Sequence, residues 1–248
     1  MRGEKQMKKA IIVGASSGIG KEISKLLSSD KVSLGITARR VELLNELKSE
    51  LPFDSIVKHM DVNDFETSKQ QLELLITEMG DVDLILICSG IGHENKELNW
   101  RLELETINTN VAGVTSLICT SMNYFLSKGN GHLAVISSIA SLRGSSECPA
   151  YNASKSFVSN YLEGMQCKAE KAKKSGAYVH VTDIKPGFVD TVMAQGEGLF
   201  WVMPVPVAAR QIYKAIKAKK KTVYITKRWA LIAFLLRRLP KFIYTKWF

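Results

Sequence analysis

The 248-residue chain contains only 4 cysteines, and none of them has CxxC spacing. This scarcity argues against a secreted fold built on disulfides, and it gives no reason to predict a cysteine-ligated metal site. The amino-terminal residues pass from a few charges directly into an apolar run, without the small-residue cleavage site of an export signal. The sequence therefore predicts a cytoplasmic protein with no metal centre.

The chain has a net charge of +10, and no acidic residue occurs after Glu197. The segment from Gly198 to Phe248 contains twelve Lys or Arg, which leaves a charge of −2 for the first 197 residues. These basic residues are interrupted by a long aliphatic run and match no nucleic-acid-binding motif. We therefore expect a nearly neutral body, a basic tail and no nucleic-acid partner.

Apolar, β-branched runs alternate with segments of helical period along most of the chain. The predicted strands are Lys9–Gly14, Val32–Ala38, Ser55–Met60, Val82–Ser89, Gly131–Ser138, Tyr178–Ile184 and, more weakly, Val223–Thr226. The predicted helices are Lys21–Ser28, Val41–Leu51, Phe65–Met79, Leu98–Leu126 and Tyr151–Lys174. This alternation is typical of βαβ units with right-handed crossovers. It predicts a single-domain α/β fold over residues 1–226, with a doubly wound parallel sheet of about seven strands and helices on both faces, followed by a basic apolar C-terminal tail over 227–248.

A glycine-rich turn with GxxxGxG spacing follows the first predicted strand. Its residues are Gly14, Ala15, Ser16, Ser17, Gly18, Ile19 and Gly20, and a helix is predicted to begin directly after them. Glycines let the backbone turn sharply and approach a pyrophosphate, whose charge is favoured by the free N–H groups and dipole of a helix N-terminus. The turn therefore indicates a dinucleotide site. The alternative is an ordinary glycine-rich surface turn.

The second predicted strand ends in Thr37-Ala38-Arg39-Arg40, without a carboxylate. NAD sites usually place an acidic residue here to bind the ribose 2′-hydroxyl, whereas a 2′-phosphate requires a cation. Arg39 presents a planar fork of donors that suits a phosphate, and Arg40 adds a second positive charge. We therefore expect NADP(H) as the cofactor, with solvated loop charges as the alternative interpretation of both arginines.

A tyrosine and a lysine occur four residues apart in Tyr151-Asn152-Ala153-Ser154-Lys155, thirteen positions after Ser138. The spacing puts both side chains on one face of a helix. A cation beside a phenol stabilises the phenolate and lowers the pKa from its usual value of about 10, which lets the tyrosine exchange a proton near neutral pH. Ser138 ends a predicted strand, where open α/β sheets bind ligands, and its hydroxyl can hydrogen-bond a substrate oxygen.

Together these motifs resemble those of the short-chain dehydrogenase/reductase family, a Rossmann-type family of oxidoreductases. The other matching motifs are Asn110 within Asn108-Thr109-Asn110-Val111-Ala112-Gly113, Ser138 within Ile136-Ser137-Ser138, and Pro186-Gly187-Phe188-Val189-Asp190-Thr191. All occur in the family's order and approximate spacing, and the match runs from about Lys8 to Tyr224.

The resemblance implies a role for each matching residue. Tyr151 resembles the general acid/base, Lys155 its pKa-lowering partner that also binds the nicotinamide ribose, and Ser138 the residue that orients the substrate carbonyl. Asn110 resembles the residue that supports a water-mediated proton relay, with an ordinary helix-side hydrogen bond as the alternative. The remaining implied cofactor contacts are Asp61 and Val62 at the adenine ring, Gly90 at the sheet edge, and Pro186, Gly187, Val189 and Thr191 at the nicotinamide end. Asp61 could equally be a capping residue. The family also implies a homodimer or homotetramer.

The chain departs from the family's pattern at two places. The family usually has Asn-Asn-Ala-Gly after the fourth strand, where this chain has Ile87-Cys88-Ser89-Gly90. The family also commonly has threonine at the position of Val13. Neither change touches the acid/base residues, so we expect an altered cofactor affinity rather than a loss of activity.

An apolar segment, Val192–Val207, follows the last family motif. The family forms its substrate lid here, so the composition favours an apolar or amphiphilic substrate. The alternative is that these residues only pack on the last helix.

The tail contains eight consecutive apolar residues, Trp229 to Leu236, between paired cations. This run is far shorter than the roughly 20 residues that span a bilayer. A short apolar helix flanked by cations and tryptophans is typical of an anchor on an anionic membrane surface, which here would be the inner face of the membrane. The alternatives are docking onto a partner subunit and an extension without function.

These inferences lead to one preferred function and two alternatives. The preferred function is an NADP(H)-dependent oxidoreductase that transfers a hydride to or from a carbonyl or alcohol, with Tyr151 as the proton donor. The first alternative uses the same site at a membrane surface, on a lipid-linked sugar or a keto-lipid. The second is a nicotinamide-binding scaffold without turnover.

Overall fold

The computed structural model describes residues 7–191 and 201–247. Its strands are β1 (Lys9–Val13), β2 (Ser33–Ala38), β3 (Ser55–His59), β4 (Leu84–Ile87), β5 (Asn130–Ile136), β6 (Tyr178–Pro186) and β7 (Thr222–Ile225). Its α-helices are α1 (Gly18–Ser29), α2 (Val41–Glu50), α3 (Phe65–Met79), α4 (Trp100–Ile107), α5 (Val114–Lys128), α6 (Pro149–Lys173), α7 (Val205–Lys217), α8 (Lys227–Arg238) and α9 (Lys241–Trp247). A π-helical turn covers Asn108–Gly113, and a 3₁₀ turn covers Ile139–Leu142.

The strands form one sheet in the order β3-β2-β1-β4-β5-β6-β7, and every neighbouring pair is parallel. The strand order reverses between β1 and β4, which is the switch point at which doubly wound sheets bind ligands. The predicted fold class, a parallel α/β sheet of seven strands with helices on both faces, is confirmed.

The core consists of two apolar clusters, one on each face of the sheet. Neighbouring strand residues point to opposite faces, so Ile11 and Ile85 enter one cluster while Ile12 and Leu86 enter the other. All four side chains are fully buried. Burial on both faces explains why the central strands are continuous apolar runs rather than alternating patterns.

The helical segment predicted over Leu98–Leu126 contains a π-helical turn and begins two residues later than expected. The structure has α4, the π-helical turn and α5 in succession, beginning at Trp100. The wider turn brings Gly113 against the loop after β3, where a Cβ on Gly113 would lie 2.3 Å from the carbonyl oxygen of Val62. Single π turns within α-helices are frequent at functional sites, and this one contains Asn110.

The basic tail folds back onto the body of the protein. Trp229 and Ala233 of α8 are buried, and the Nε of Arg143 donates a hydrogen bond to the carbonyl of Leu236 at 2.8 Å. Arg143 also donates to the carbonyl of Leu239. Within residues 7–191 and 201–247, no helix is both long enough and apolar enough to cross a bilayer.

Candidate active site

The carboxyl edge of the sheet brings Ser138, Tyr151 and Lys155 together. Ser138 follows β5 and begins the 3₁₀ turn, where its Oγ accepts a hydrogen bond from the N–H of Ala140 at 3.1 Å. Tyr151 and Lys155 lie one turn apart on α6, with the Nζ of Lys155 5.7 Å from the centroid of the Tyr151 ring. The hydroxyl of Ser138 lies close enough to that of Tyr151 to lower the pKa of the phenol.

The surroundings of Tyr151 shift its pKa in two opposing ways. Burial raises the pKa of the phenol, and the hydrogen bond with Ser138 lowers it, with a net increase. The predicted lowering of this pKa by Lys155 stays a prediction. The Nζ of Lys155 donates a hydrogen bond to the carbonyl of Ile136 at 3.2 Å.

Lys155 is itself strongly perturbed. Its side chain is buried between α6 and the sheet, and this burial lowers the pKa of the ammonium to about 8, although the negative charge of Asp183 raises it. A lysine with this pKa can release and regain a proton close to neutral pH, as a proton relay requires.

Asn110 is held by three hydrogen bonds in the π-helical turn. Its Oδ1 accepts from the N–H of Ile91 at 2.9 Å, and its Nδ2 donates to the carbonyl of Ile91 at 2.7 Å and to the Oγ of Ser154 at 3.0 Å. Asn110 therefore connects the loop after β4 to α6, which is the helix that contains Tyr151 and Lys155. These bonds fit the alternative interpretation of a helix-side hydrogen-bonding residue, and the role in a proton relay stays a prediction.

Two glycines after β4 provide space for the side chains that are predicted to be catalytic. A Cβ on Gly90 would lie 3.0 Å from the Nζ of Lys155 and 3.2 Å from the Oδ1 of Asn110. A Cβ on Gly92 would lie 2.9 Å from the Tyr151 ring. The loop after β4 is therefore packed directly against the predicted catalytic group.

The glycine-rich turn begins where β1 ends. Gly14 and Gly18 have φ values of +87° and +55°, which favour glycine, and α1 starts at Gly18. A Cβ on Gly20 would lie 2.2 Å from the carbonyl oxygen of Gly14, so the turn closes tightly on the helix. Ser89, at one of the positions where the chain departs from the family's pattern, packs against Gly14. The geometry fits the predicted pyrophosphate cradle.

Arg40 reaches this turn, whereas Arg39 extends into solvent. The guanidinium of Arg40 donates to the Oγ of Ser16 at 3.1 Å and to the Oγ of Ser17 at 3.0 Å, and both arginine side chains are exposed. The loop after β2 therefore places the cation of Arg40 beside the turn.

Asp61 and Val62 follow β3. The carboxylate of Asp61 accepts a hydrogen bond from the N–H of Asn63 at 3.0 Å, which closes a local turn. The residue that caps α3 is Asp64, whose side chain accepts from the N–H of Thr67. The Oδ1 of Asn63 accepts from the Oγ1 of Thr109, and this bond connects the loop after β3 to the π-helical turn. Val62 is buried against Gly113.

The segment after β6 closes the opposite side of the site. Thr191 lies against the glycine-rich turn, since a Cβ on Gly18 would meet its Cγ2 at 3.3 Å. Val189 is buried and pairs with Met203, and Pro186 ends β6 in register with Ile225. Gly187 packs directly under the indole of Trp229 in α8 (Lys227–Arg238), with a clearance too small for any side chain.

The predicted apolar lid lies partly outside the described residues, at 192–200. Of its remainder, Trp201 and Val202 are exposed, and Met203 donates its N–H to the carbonyl of Phe188 at 3.0 Å. The Trp201 ring packs edge-on to Trp229 with the centroids 6.4 Å apart. Of the described part of the lid, Trp201 therefore packs on α8.

Three residues that border the site were not predicted from the sequence. Gly92 contacts the Tyr151 ring, Trp229 covers Gly187, and Asp183 acts electrostatically on Lys155. Gly92 and Asp183 belong to no motif that distinguishes them from ordinary loop and strand residues. Trp229 occurs in the tail, which the sequence treats as separate from the body.

Comparison with known proteins supports the same assignment. Residues 8–199 match the family model for short chain dehydrogenases. An uncharacterized oxidoreductase of Mycobacterium tuberculosis is 32% identical over 193 residues, covering 75% of this chain and 74% of that protein. The alcohol dehydrogenase of the archaeon Thermococcus sibiricus, complexed with 5-hydroxy-NADP, has a TM-score of 0.76 at 24% identity, over 89% of this chain and 96% of that one. ElxO with NADP bound has a TM-score of 0.75 at 21% identity, over 89% and 97% of the two chains.

The family match covers most of the chain and includes every motif on which the sequence-based resemblance rests. The likeness to the solved structures extends the common fold beyond residue 199, to about nine-tenths of the chain. The chain belongs to the short-chain dehydrogenase family of oxidoreductases.

Proposed function

We propose that the protein is an NADP(H)-dependent oxidoreductase that interconverts a carbonyl compound and its alcohol, with Tyr151 as the general acid/base. The observation that carries the proposal is that Ser138, Tyr151, Lys155 and Asn110 lie close together at the carboxyl edge of the sheet. The hydroxyl of Ser138 lies close enough to Tyr151 to lower the pKa of the phenol, and the Nζ of Lys155 lies 5.7 Å from the centroid of the Tyr151 ring. The same ring packs against Gly92, in the loop that Asn110 holds. A protein without turnover has no chemical need for all four side chains, which argues against the scaffold alternative.

Each of these residues has a separate task in the proposed reaction. When bound, the nicotinamide cofactor supplies or accepts the hydride. In the reductive direction, the Oη of Tyr151 donates a proton to the substrate oxygen, while the hydroxyl of Ser138 hydrogen-bonds the same oxygen and stabilises the charge that develops on it. Lys155 restores the proton, since burial lowers its pKa to about 8. Asn110 keeps the loop beside Tyr151 and Lys155 in place.

Two observations favour NADP(H) over NAD(H). Arg39 and Arg40 are both exposed at the end of β2, and Arg40 is hydrogen-bonded to two serines of the glycine-rich turn. Two similarly folded proteins, the Thermococcus sibiricus alcohol dehydrogenase and ElxO, were solved with 5-hydroxy-NADP and NADP respectively. Gly14, Gly18 and Gly20, together with Thr191, would hold the pyrophosphate and the adjoining ribose.

The decisive experiment measures NADPH oxidation against a pooled set of aldehydes and ketones, and compares the wild type with Tyr151→Phe. The variant should lose turnover while it binds NADPH with nearly the wild-type affinity, because the phenol acts on the substrate. Tyr161→Phe, ten residues along the same helix, is the matched control and should remain active. Equal turnover in the wild type and Tyr151→Phe would refute the assignment. NADPH binding without turnover on any substrate would instead favour the scaffold.

We further propose that α8 binds an anionic membrane surface, which would place the protein on the cytoplasmic face of a membrane. Its outer side exposes Leu231, Phe234 and Leu235 to solvent, at 62%, 52% and 57% of their surface, although a soluble helix usually has polar residues there. Exposed cations surround this patch at Arg228, Arg237, Arg238 and Lys241. Apolar residues among cations fit an interfacial helix, whereas two such basic surfaces would repel each other across a subunit interface.

Sedimentation with vesicles tests the membrane proposal. Binding should require phosphatidylserine in a phosphatidylcholine bilayer and should weaken as salt is added. A variant with serine at 231, 234 and 235 should stay in solution, while Leu74→Ser, which alters an exposed leucine of α3, should bind like the wild type.

The same triple variant distinguishes a membrane-borne substrate from a soluble one. Loss of turnover only on bilayer-borne carbonyls would support the lipid-linked alternative, and unchanged turnover would favour soluble substrates.

We also propose that the protein forms a homodimer or homotetramer, as relatives of this kind often do. A shallow apolar groove between α4 and α6 is lined by Ile107 and Phe157, which are 38% and 42% exposed. Light scattering of the wild type and of Phe157→Glu tests this proposal, since a charge in the groove should shift the mass toward the monomer.

A further inference from the structure

We infer that Asp183 and Lys185 form a buried positioning pair, which ties the loop of Ser138 to the helix of Tyr151 and Lys155. The inference rests on the function proposed above and assigns two residues to it that no sequence motif identified. Both residues belong to β6, two positions apart, so they point to the same face of the sheet. That face is the one covered by α6 (Pro149–Lys173).

The two side chains form an ion pair that is almost completely removed from solvent. The carboxylate of Asp183 lies 2.8 Å from the Nζ of Lys185, and the side chains are 4% and 2% exposed. Burying two charges has a desolvation cost that their mutual attraction often does not offset. Replacing such a pair by apolar residues of similar size frequently leaves the protein as stable or makes it more stable. Stability alone therefore does not explain the pair.

The pair is hydrogen-bonded to the loop of Ser138 on both sides of that residue, at Ser137 and at Ser141. Ser137, immediately before it, donates its hydroxyl proton to the Oδ1 of Asp183. Ser141, three residues after it in the 3₁₀ turn, accepts a hydrogen bond from the Nζ of Lys185 at 2.9 Å. The backbone that presents the Ser138 hydroxyl is thus fixed at both ends to one ion pair.

The same pair is bonded to the helix that contains the other two catalytic side chains. Ser159 lies one turn after Lys155 on α6, and its Oγ donates to the carboxylate of Asp183 at 2.8 Å. The Nζ of Lys185 in turn donates to the Oγ of Ser159. These bonds lock α6 to the sheet at the point where the serine loop is also held. The relative position of Ser138 and Tyr151 therefore depends on the pair.

A direct contact between the loop and the helix completes the arrangement. The Oγ of Ser156 donates to the carbonyl of Ser141 at 2.6 Å. Loop, helix and strand therefore form a closed hydrogen-bonded ring around the ion pair. Small displacements in an active site cause large losses of rate. Disruption of this ring should therefore lower kcat more than it lowers the affinity for the cofactor.

Two double variants separate positioning by hydrogen bonds from a purely structural role. Asp183→Leu with Lys185→Met makes the pair apolar and removes every bond to the three serines. Asp183→Asn with Lys185→Gln removes the charges but retains an acceptor and a donor. We expect the apolar pair to lower kcat about 10- to 100-fold while the NADPH dissociation constant changes less than about threefold. The amide pair should recover most of kcat.

Hydrogen exchange provides a readout that needs neither cofactor nor substrate. In the apolar pair, the backbone amides of residues 139–143 should exchange faster than in the wild type, whereas those of β1 should not change. Ser141→Ala, which breaks a single link, should do the same more mildly and keeps the test open if the apolar pair does not fold. Lys128→Met, which disrupts an ion pair at the other edge of the sheet, is the control and should leave kcat unchanged.

The outcomes distinguish this inference from the proposed function. If wild type turns over and Tyr151→Phe does not, while both double variants keep wild-type kcat, the function stands and the positioning role is wrong. An equal loss of kcat in the apolar and amide pairs would also overturn positioning by hydrogen bonds. If the wild type shows no turnover but residues 139–143 loosen in the apolar pair, the positioning holds and the proposed reaction fails.

Discussion

The indole of Trp229 occupies the space that a side chain at residue 187 would need. A Cβ on Gly187 would lie 2.1 Å from the Cε2 of Trp229, and the Phe188 ring meets the indole edge-on at 5.4 Å. Trp229 is 4% exposed, so the first turn of α8 is part of the core beside the proposed nicotinamide end of the site. The tail is therefore attached to the catalytic body by a buried contact.

Replacement of Trp229 by alanine should destabilise the whole domain. A buried tryptophan truncated to alanine typically costs about 3–5 kcal/mol, since the cavity is only partly refilled. Thermal or urea unfolding measures this cost. Phe234→Ala, on the exposed side of the same helix, should change the free energy of unfolding by less than about 0.5 kcal/mol. If the two variants were equally stable, the tail would be a separate segment.

The sequence predicts the body of this protein better than it predicts the tail. The strands follow from continuous apolar runs, and Ser138, Tyr151 and Lys155 follow from motifs with fixed spacing. The contact between Trp229 and Gly187 joins residues 42 positions apart in the sequence, and no local pattern encodes it. The sequence predicts that the apolar residues of α8 lie on a membrane surface. In the structure, one side of this helix is buried against the body of the protein, and the other side exposes apolar residues to solvent.

The π-helical turn within the predicted helix Leu98–Leu126 also depends on contacts distant in the sequence. The apolar period continues through Asn108–Gly113, so the sequence gives no reason to widen the turn there. The structure widens it because Gly113 packs on the carbonyl of Val62 and Thr109 bonds to Asn63, contacts that exist only in the folded sheet. Motif spacing predicts Asn110 as a site residue, and only tertiary packing explains how its side chain is held.

Replacement of Gly92 by alanine should lower kcat by about 10-fold without unfolding the protein. The new methyl group would lie 2.9 Å from the Tyr151 ring, which must shift by several tenths of an ångström and tilt the phenol. Steady-state kinetics with NADPH and a carbonyl substrate checks this effect. Gly164→Ala in α6 is the control because nothing lies within 4 Å of its Cβ position. It should leave kcat unchanged and stabilise the helix by about 0.5–1 kcal/mol.

Replacement of both Arg39 and Arg40 by alanine should reduce the preference for NADPH over NADH. Charge-assisted hydrogen bonds to a phosphate contribute about 1.5–3 kcal/mol, so the NADPH dissociation constant should rise roughly 10- to 100-fold while that of NADH changes little. Fluorescence titration with both cofactors measures the two constants. Lys48→Ala, an exposed cation of α2, controls for general electrostatics. An unchanged ratio in the double variant would remove the case for NADP(H), and the two single variants would show which arginine dominates.

Replacement of Lys155 by methionine should abolish turnover and yet stabilise the protein at pH 7. Burial lowers the pKa of Lys155 from 10.5 to about 8, so the unfolded chain binds more protons than the folded one between these values, and stability rises with pH across this window. Below pH 8 the wild type bears the full cost of the buried charge, about 3 kcal/mol, from which the lost hydrogen bond to Ile136 subtracts about 1 kcal/mol in the variant. Urea unfolding at pH 7 and at pH 10 should show the methionine variant more stable at the lower pH and without that advantage at the higher one. A variant less stable than the wild type at pH 7 would mean that the ammonium is better solvated or paired than its burial between α6 and the sheet implies.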